Sequence, residues 1–274
     1  MSERERKMIW RNSGVQRGHI RRMVSPSFGG DLTKPFVLLD YYDEEAKSEN
    51  NFSFHSHSGI ATLSYLLEGE LYYEDSAGGK GTLPAGSVEW LVSGGGAWHK
   101  AGYANSGRAH GIQLWMALPA IIEDGESSSQ YIRSEDIPIV GAAKVLMGEL
   151  EGKKSPIHRT SPMNLFHVEM KPGEAWKYQP PLGYEVAWVF AYEGSLLVAG
   201  EELQNELGIF EKSEGLIRIS AGKEGVSFLF GSAVTHPYPL VVAHDTIHTN
   251  QESLEKAEVK KEEIQQILIK AGRI

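Results

Sequence analysis

The chain has 274 residues, 41% of them hydrophobic, with a formal charge of −9 and no cysteine. That length fits two ordinary domains, and the acidic balance gives no basic face for a phosphate backbone, so direct nucleic-acid binding is not expected. Without cysteine there are no disulfides, thiolate ligands or thiol nucleophiles, and any metal has to be held by nitrogen or oxygen. The basic cluster from Arg17 to Arg22 is local. Met1 to Met8 are charged with no apolar run behind them, and no later stretch is long enough to cross a bilayer. These features lead us to expect a soluble, cytoplasmic protein with no membrane partner.

From Phe52 to Leu118, short β-rich runs alternate with glycine or proline breaks: Thr62 to Leu67, Glu70 to Glu74, Val88 to Val92 and Gly111 to Ala117. This spacing predicts an antiparallel sandwich or barrel. Ser76-Ala77-Gly78-Gly79 and Pro84-Ala85-Gly86 read as hairpin connections between neighbouring strands. The polar stretch Glu123 to Ser129 reads as a linker or exposed loop, and a domain boundary is expected near Ile139, dividing residues 1–138 from 139–274.

A second β-rich section runs from Asn164 to Val242 and repeats part of the first. Glu185 to Ser195 parallels Ile60 to Glu70, and Val226 to Phe230 parallels Ile112 to Met116, which predicts a duplicated barrel. Leu254, Ala257, Ile264, Ile267 and Leu268 fall at helical spacing, with Thr249-Asn250 upstream as a cap, so one or two amphipathic helices should close the chain.

His55 and His57 are two apart, which on a strand puts both imidazoles on one face. His99 follows Gly94-Gly95-Gly96, where a barrel strand would return beside the first. Three neutral imidazoles suit iron, nickel, copper, zinc or manganese. Counted back from Glu193-Gly194 at the same offset, the second half carries Pro180 and Leu182 where the first carries the histidine pair, so one site per chain is expected. His110, His158, His167, His236, His244 and His248 lack paired spacing and read as structural or exposed. Core packing is the expected role for most of Trp90, Trp98 and Trp115, with a pocket wall as the alternative, and Glu70 and Glu89 lie on adjacent strands from which a carboxylate can approach the ion.

Phe54-His55-Ser56-His57-Ser58-Gly59, Tyr65-Leu66-Leu67-Glu68-Gly69, Pro84-Ala85-Gly86-Ser87-Val88-Glu89-Trp90, Gly94-Gly95-Gly96-Ala97-Trp98-His99 and His110-Gly111-Ile112-Gln113-Leu114-Trp115 resemble successive motifs of the pirin family, within the cupin superfamily. The resemblance implies an all-β bicupin: two tandem jelly-roll β-barrels, the first with a metal site and the second, through Pro172-Gly173-Glu174 and Glu193-Gly194, without one, followed by a short C-terminal helical segment. It carries the family's histidine ligands onto His55, His57 and His99, with iron(II) the leading metal and nickel, zinc, manganese or copper the alternatives. It departs from the family at two positions. Ala101 stands where pirins place a glutamate ligand two residues after the third histidine, and Ala61 stands where they place another glutamate. Three neutral ligands leave the ion its full charge, which favours anionic exogenous ligands.

The resemblance implies a quercetin 2,3-dioxygenase-type oxygenase acting on a flavonol or similar aromatic substrate. The alternative is a non-catalytic, metal-dependent regulator acting through protein partners, which the acidic balance suits better than DNA. No catalytic side chain is identified beyond the ligands.

Overall fold

The computed structural model describes residues 5–46 and 53–274. Met1 to Arg4 of the charged N-terminal stretch, and Phe52 at the start of the first β-rich section, lie outside them. The chain divides into two compact units, one of Gln16–Gly30, Phe36–Ser134 and His236–Ile274, the other of Met1–Val15, Asp31–Pro35 and Glu135–Thr235. The longest segments of the two units meet at Ser134/Glu135. The ends differ from a single cut, for two physical reasons. The strand Met8–Asn12 completes its backbone hydrogen bonds against Glu201–Phe210. The C-terminal helix buries its inner face against the first unit, where the Trp98 indole N–H donates to the Lys261 carbonyl at 2.9 Å.

The first unit is built on two main sheets, with a small two-stranded ribbon of Val241–Ala243 and Thr246–His248 beside them. The larger runs in the order Ser128–Ile132, Val88–Val92, Ile60–Glu68, Gly107–Ala117, Phe36–Ala46, Ile20–Val24, Val15–Arg17. The smaller runs His55–His57, Ala97–Tyr103, Glu70–Asp75, Lys80–Pro84. Among the described residues no ladder joins them, so the expected jelly-roll fold takes the form of a sandwich with open edges. The turn at Ser76 to Gly79 closes a hairpin, as expected. Pro84-Ala85-Gly86 does not: it leads from the small sheet to the large one. Pro84 has no N–H to continue a ladder, and Gly86, at φ +81°, redirects the chain.

Register explains how the large sheet serves a site. Leu63, Trp90, Leu114 and Leu39 form one apolar row across neighbouring strands, all nearly sealed from solvent. On the opposite face the same strands align Tyr131, Glu89, Ser64, Gln113, Asp40 and Arg22. A transverse polar row inside a sandwich implies either internal partners or a cavity, because unsatisfied buried polar groups are costly. Both are found here. The Arg22 guanidinium donates twice to Asp40, at 2.8 and 2.6 Å, and Ser64, Glu89, Gln113 and Asp40 line a cavity. Gly111 lies against this face, where a Cβ would meet the Tyr42 hydroxyl at 2.4 Å and the Tyr65 carbonyl at 2.7 Å.

Glu123 to Ser127 form the expected loop, exposed at Asp124 to Glu126 but with Glu123 buried, and Ser128 and Ser129 open an edge strand of the large sheet, Ser128–Ile132. The Glu123 carboxylate accepts hydrogen bonds from Thr249 N at 2.7 Å, Thr249 Oγ1 at 2.5 Å and Asn250 Nδ2 at 3.4 Å, tying down the start of the C-terminal helix. The helix is single, Gln251–Lys270, with Asn250 as N-cap accepting from Ser253 N. Among the described residues, no helix is long and apolar enough to cross a membrane.

The second unit is built on one eight-stranded sheet whose long central strands, Val186–Val198 and Ile217–Ala233, carry the segments that repeat Ile60–Glu68 and Gly107–Ala117. Those strands also pair with each other in both halves, as duplication requires. Phe166, Val189, Phe228 and Phe230 fill its core, each such side chain contributing roughly 1.5–3 kcal/mol on burial.

Candidate metal centre

The small sheet sets the histidines by register. His55 lies directly opposite His99, and His57 opposite Ala97, so the three imidazoles share one face of two paired strands. One ring nitrogen from each lies within 4.8 Å of the others, and the Nε2 atoms of His55 and His99 are 3.0 Å apart. Donors about 2.0–2.1 Å from a common ion stand roughly 3 Å from one another, so this pair already has the spacing of ligands.

Each ring is fixed from behind through Nδ1. His55 Nδ1 is 3.0 Å from the Ser53 carbonyl, His57 Nδ1 is 3.0 Å from the Asp245 carbonyl, and His99 Nδ1 is 3.3 Å from Glu89 Oε1. Protons on all three Nδ1 atoms leave the three Nε2 lone pairs free. This is the outer-sphere pattern that orients histidine ligands. Nε2 of His57 is buried without a hydrogen-bond partner, a cost that a bound cation removes. Burial, and then the neighbouring His99, lower the pKa values of His55 and His57, for His57 well below 6.5. Neutral imidazoles are the form that binds metal.

The strand Thr246–His248 closes the floor. Ser58 Oγ donates to Thr246 Oγ1 at 3.2 Å, His248 Nε2 is 3.1 Å from Ser58 Oγ, and Lys261 Nζ donates to Thr246 Oγ1 at 2.9 Å. Gly59 permits this approach. It has φ +68°, and a Cβ there would fall 2.0 Å from the Ile247 carbonyl oxygen. The rings of Trp115 and His57 meet in a T-shaped contact, 5.1 Å between centroids.

Above the histidines lies a cavity of about 390 Å³ lined by His55, His99, Glu89, Ala101, Leu71, Tyr42 and Tyr103, with Arg17 and His19 also on its wall. Its aromatic lining comes from these tyrosines and not from the tryptophans. Trp90 is core, Trp115 backs His57 and Trp98 anchors the helix. Tyr103 donates to Glu44 at 2.6 Å, and burial raises the pKa of both Tyr42 and Tyr103, so both phenols are neutral. Ala101 presents only a methyl group to this space. Of the two carboxylates considered for the ion, Glu89 lines the cavity, whereas Glu70 accepts from Asn105 at 2.7 Å.

A second grouping, Glu123, Asp124 and His248, is also close-set, but the Glu123 carboxylate is taken up by the helix start. Among the described residues no such grouping lies in the 135–235 unit. There Pro180 and Leu182 occupy the positions matching the histidine pair, Leu182 being 89% exposed, and His167 is 2.6 Å from the Tyr192 hydroxyl. His110 and His236 are buried, whereas His244 is exposed.

Residues 18–116, which include every histidine of the centre, match the family model described as Pirin. A pirin-like protein of Caulobacter vibrioides is 29% identical over 215 residues, 74% of this chain and 77% of that protein. The chain is similar to proteins of the pirin family. Against a pirin-like protein of Solanum lycopersicum the identity is 32%, and the match spans 55% of that relative's length. The crystal structure of a quercetin 2,3-dioxygenase from Acinetobacter baumannii superposes with a TM-score of 0.86 at 23% identity, over 94% of this chain and 96% of that one. The bacterial pirin YhhW from Escherichia coli, solved in complex with nickel(II), superposes with a TM-score of 0.67 at 19% identity, over 84% of this chain and 98% of that one. At these identities the two structures show the shared bicupin fold alone.

Proposed function

We propose that this pirin-like chain holds one divalent first-row metal ion on His55, His57 and His99 and uses it to bring a flat, acidic phenol of the flavonol type together with dioxygen, in a quercetin 2,3-dioxygenase-type reaction. One observation carries the reading. Three imidazoles, each held through Nδ1, bring one ring nitrogen apiece within 4.8 Å of the others, and two of them, His55 and His99, line a cavity of about 390 Å³. That volume is within the range of small-molecule sites. The dioxygenase structure with the same fold supports the class of chemistry, and the nickel(II) complex of the E. coli relative supports a transition metal. Iron(II) is the expected ion here, with nickel, zinc, manganese or copper also suited to imidazole donors.

When bound, the ion supplies a Lewis acid and an electron path between an anionic ligand and oxygen. The chain's own residues do the rest. Leu71 and Ala101 offer an apolar wall and leave room beside the ligands, while Tyr42 and Gln113 present polar atoms to the rim of a planar guest. Neutral ligands on the ion favour an anion in the open positions, so the phenol should bind as phenolate.

The test is anaerobic loading with iron(II), addition of quercetin, then admission of oxygen while flavonol absorbance and oxygen uptake are followed. Metal-free protein and His57→Ala serve as controls. Substrate loss no faster than in those controls would overturn the oxygenase reading. If metal binds with no flavonol turnover, the regulatory alternative takes its place, and a protein partner should then be recovered from extracts with the metal-loaded chain and not with the chelated one.

A further inference from the structure

We propose that Glu89 is the carboxylate of this metal centre, acting from outside the coordination sphere: it holds His99 through Nδ1 so that Nε2 meets the ion, and it supplies the negative charge that position 101 lacks. The proposal rests on the three-histidine reading above.

The sequence around Glu89 makes its presence odd. It stands in Val88-Glu89-Trp90-Leu91-Val92, between strands on both sides, and is 2% exposed. Buried carboxylates are normally paired with lysine or arginine. Among the described residues its ion-pair contact is with His99 alone. The groups around it are phenols and other neutral side chains: Ser64 and Tyr131 in register on either side, and Tyr42, Tyr73 and Tyr131 within reach of its field, each with its ionisation pushed upward, chiefly by burial and then by Glu89. A buried negative charge with no cation beside it is costly. A divalent ion one imidazole away is the compensation the geometry provides, and the carboxylate in turn offsets part of the charge that three neutral ligands leave on the ion.

Ala101 makes the same point from the other sheet. It follows His99 by two residues, shares its face and lines the same cavity as Glu89. The carboxylate reaches this centre from the large sheet, behind the histidine, and not from the histidine's own strand. That placement leaves the cavity side of the ion free for a ligand.

The test uses the full chain with cobalt(II) as probe, reading affinity by chelator competition and ligand field from the visible spectrum, for wild type, Glu89→Gln, Glu89→Leu and His57→Ala. Loss of an outer-sphere partner of a histidine ligand typically weakens metal binding about 10–100-fold. We expect that loss in Glu89→Leu, a smaller one of roughly tenfold or less in Glu89→Gln, which keeps an acceptor and loses the charge, and a shifted visible spectrum in both. Wild-type affinity and spectrum in both Glu89 variants would overturn the assignment. So would loss of one oxygen donor from the metal's X-ray absorption shell in Glu89→Gln, since that makes Glu89 a direct ligand. Should Glu89→Leu fail to fold, the near-isosteric Glu89→Gln decides alone. Cobalt(II) binding equal in wild type and His57→Ala sinks the three-histidine reading itself, whereas binding lost in His57→Ala and kept in both Glu89 variants sinks only the role of Glu89.

Discussion

Replacing His57 by alanine should abolish most of the thermal stabilisation that a divalent metal gives this protein. His57 is 1% exposed, its Nδ1 is committed to the Asp245 carbonyl, and its Nε2 has no protein partner. An ion present at 100 times its dissociation constant adds about 2.7 kcal/mol to the folded state. At ~2–4 °C per kcal/mol for a cooperative unit of this size, the wild-type melting temperature should rise by about 5–10 °C. A lost ligand costs at least as much affinity as a lost outer partner, on the order of 100-fold. At the same metal concentration the variant then gains only roughly 0.4 kcal/mol, or less than about 2 °C. Melts followed by circular dichroism, with nickel(II) and with a chelator, measure both shifts, and the chelated arm isolates any packing cost of the substitution. Equal metal-induced shifts in wild type and variant would refute the reasoning, because they would place the ion somewhere other than on His57.

Three further outcomes are expected. Ala101→Glu, which adds a carboxylate on the His99 face of the cavity, should tighten cobalt(II) binding by roughly tenfold or more, as one charged donor worth upward of ~1.4 kcal/mol implies; isothermal titration reads it. Glu123→Ala should cost about 2–3 kcal/mol in a urea titration, since it strands the buried Thr249 N–H and hydroxyl, whereas Asn250→Ala should cost only about 1 kcal/mol as a lost N-cap. His248 is buried and its pKa lies below the ordinary 6.5, lowered chiefly by desolvation against the opposing pull of Glu123 and Asp124. The folded state therefore holds this ring neutral while the unfolded chain protonates it, and its contribution to stability is present above pH 6.5 and lost as the pH falls below it. Metal-free His248→Asn should lose less stability between pH 7 and pH 5 than the metal-free parent does.

Much of this molecule is written in local pattern. The two-residue spacing of His55 and His57 and the return of the chain at His99 were legible because strand periodicity fixes faces, and the pairing of His55 with His99 follows it. The duplicated strands and the closing helix were legible for the same reason, being runs of regular period with clear breaks. What escaped the sequence depends on distant contacts. Glu123 to Ser129 is polar enough to read as a loop and mostly is one, yet its last two residues enter an edge strand and Glu123 is a buried anchor for a helix more than a hundred residues away. The turn at Pro84 to Gly86 has the composition of a hairpin, but which sheet the next strand joins is a tertiary choice that composition does not encode. The position of Glu89 behind His99 likewise depends on two sheets packing face to face. The one local hint was a charge in the middle of an apolar strand.

The Asp245 carbonyl that orients His57 lies 188 residues further along the chain. During synthesis, all three histidines leave the ribosome long before the turn at Asp245 that holds the second of them, and domains fold as units as they emerge. A nascent chain therefore presents these imidazoles without the Asp245 contact until that turn has been made. On the proposed reading, metal choice at this centre is for that reason a late event, decided by the folded protein rather than by the growing one.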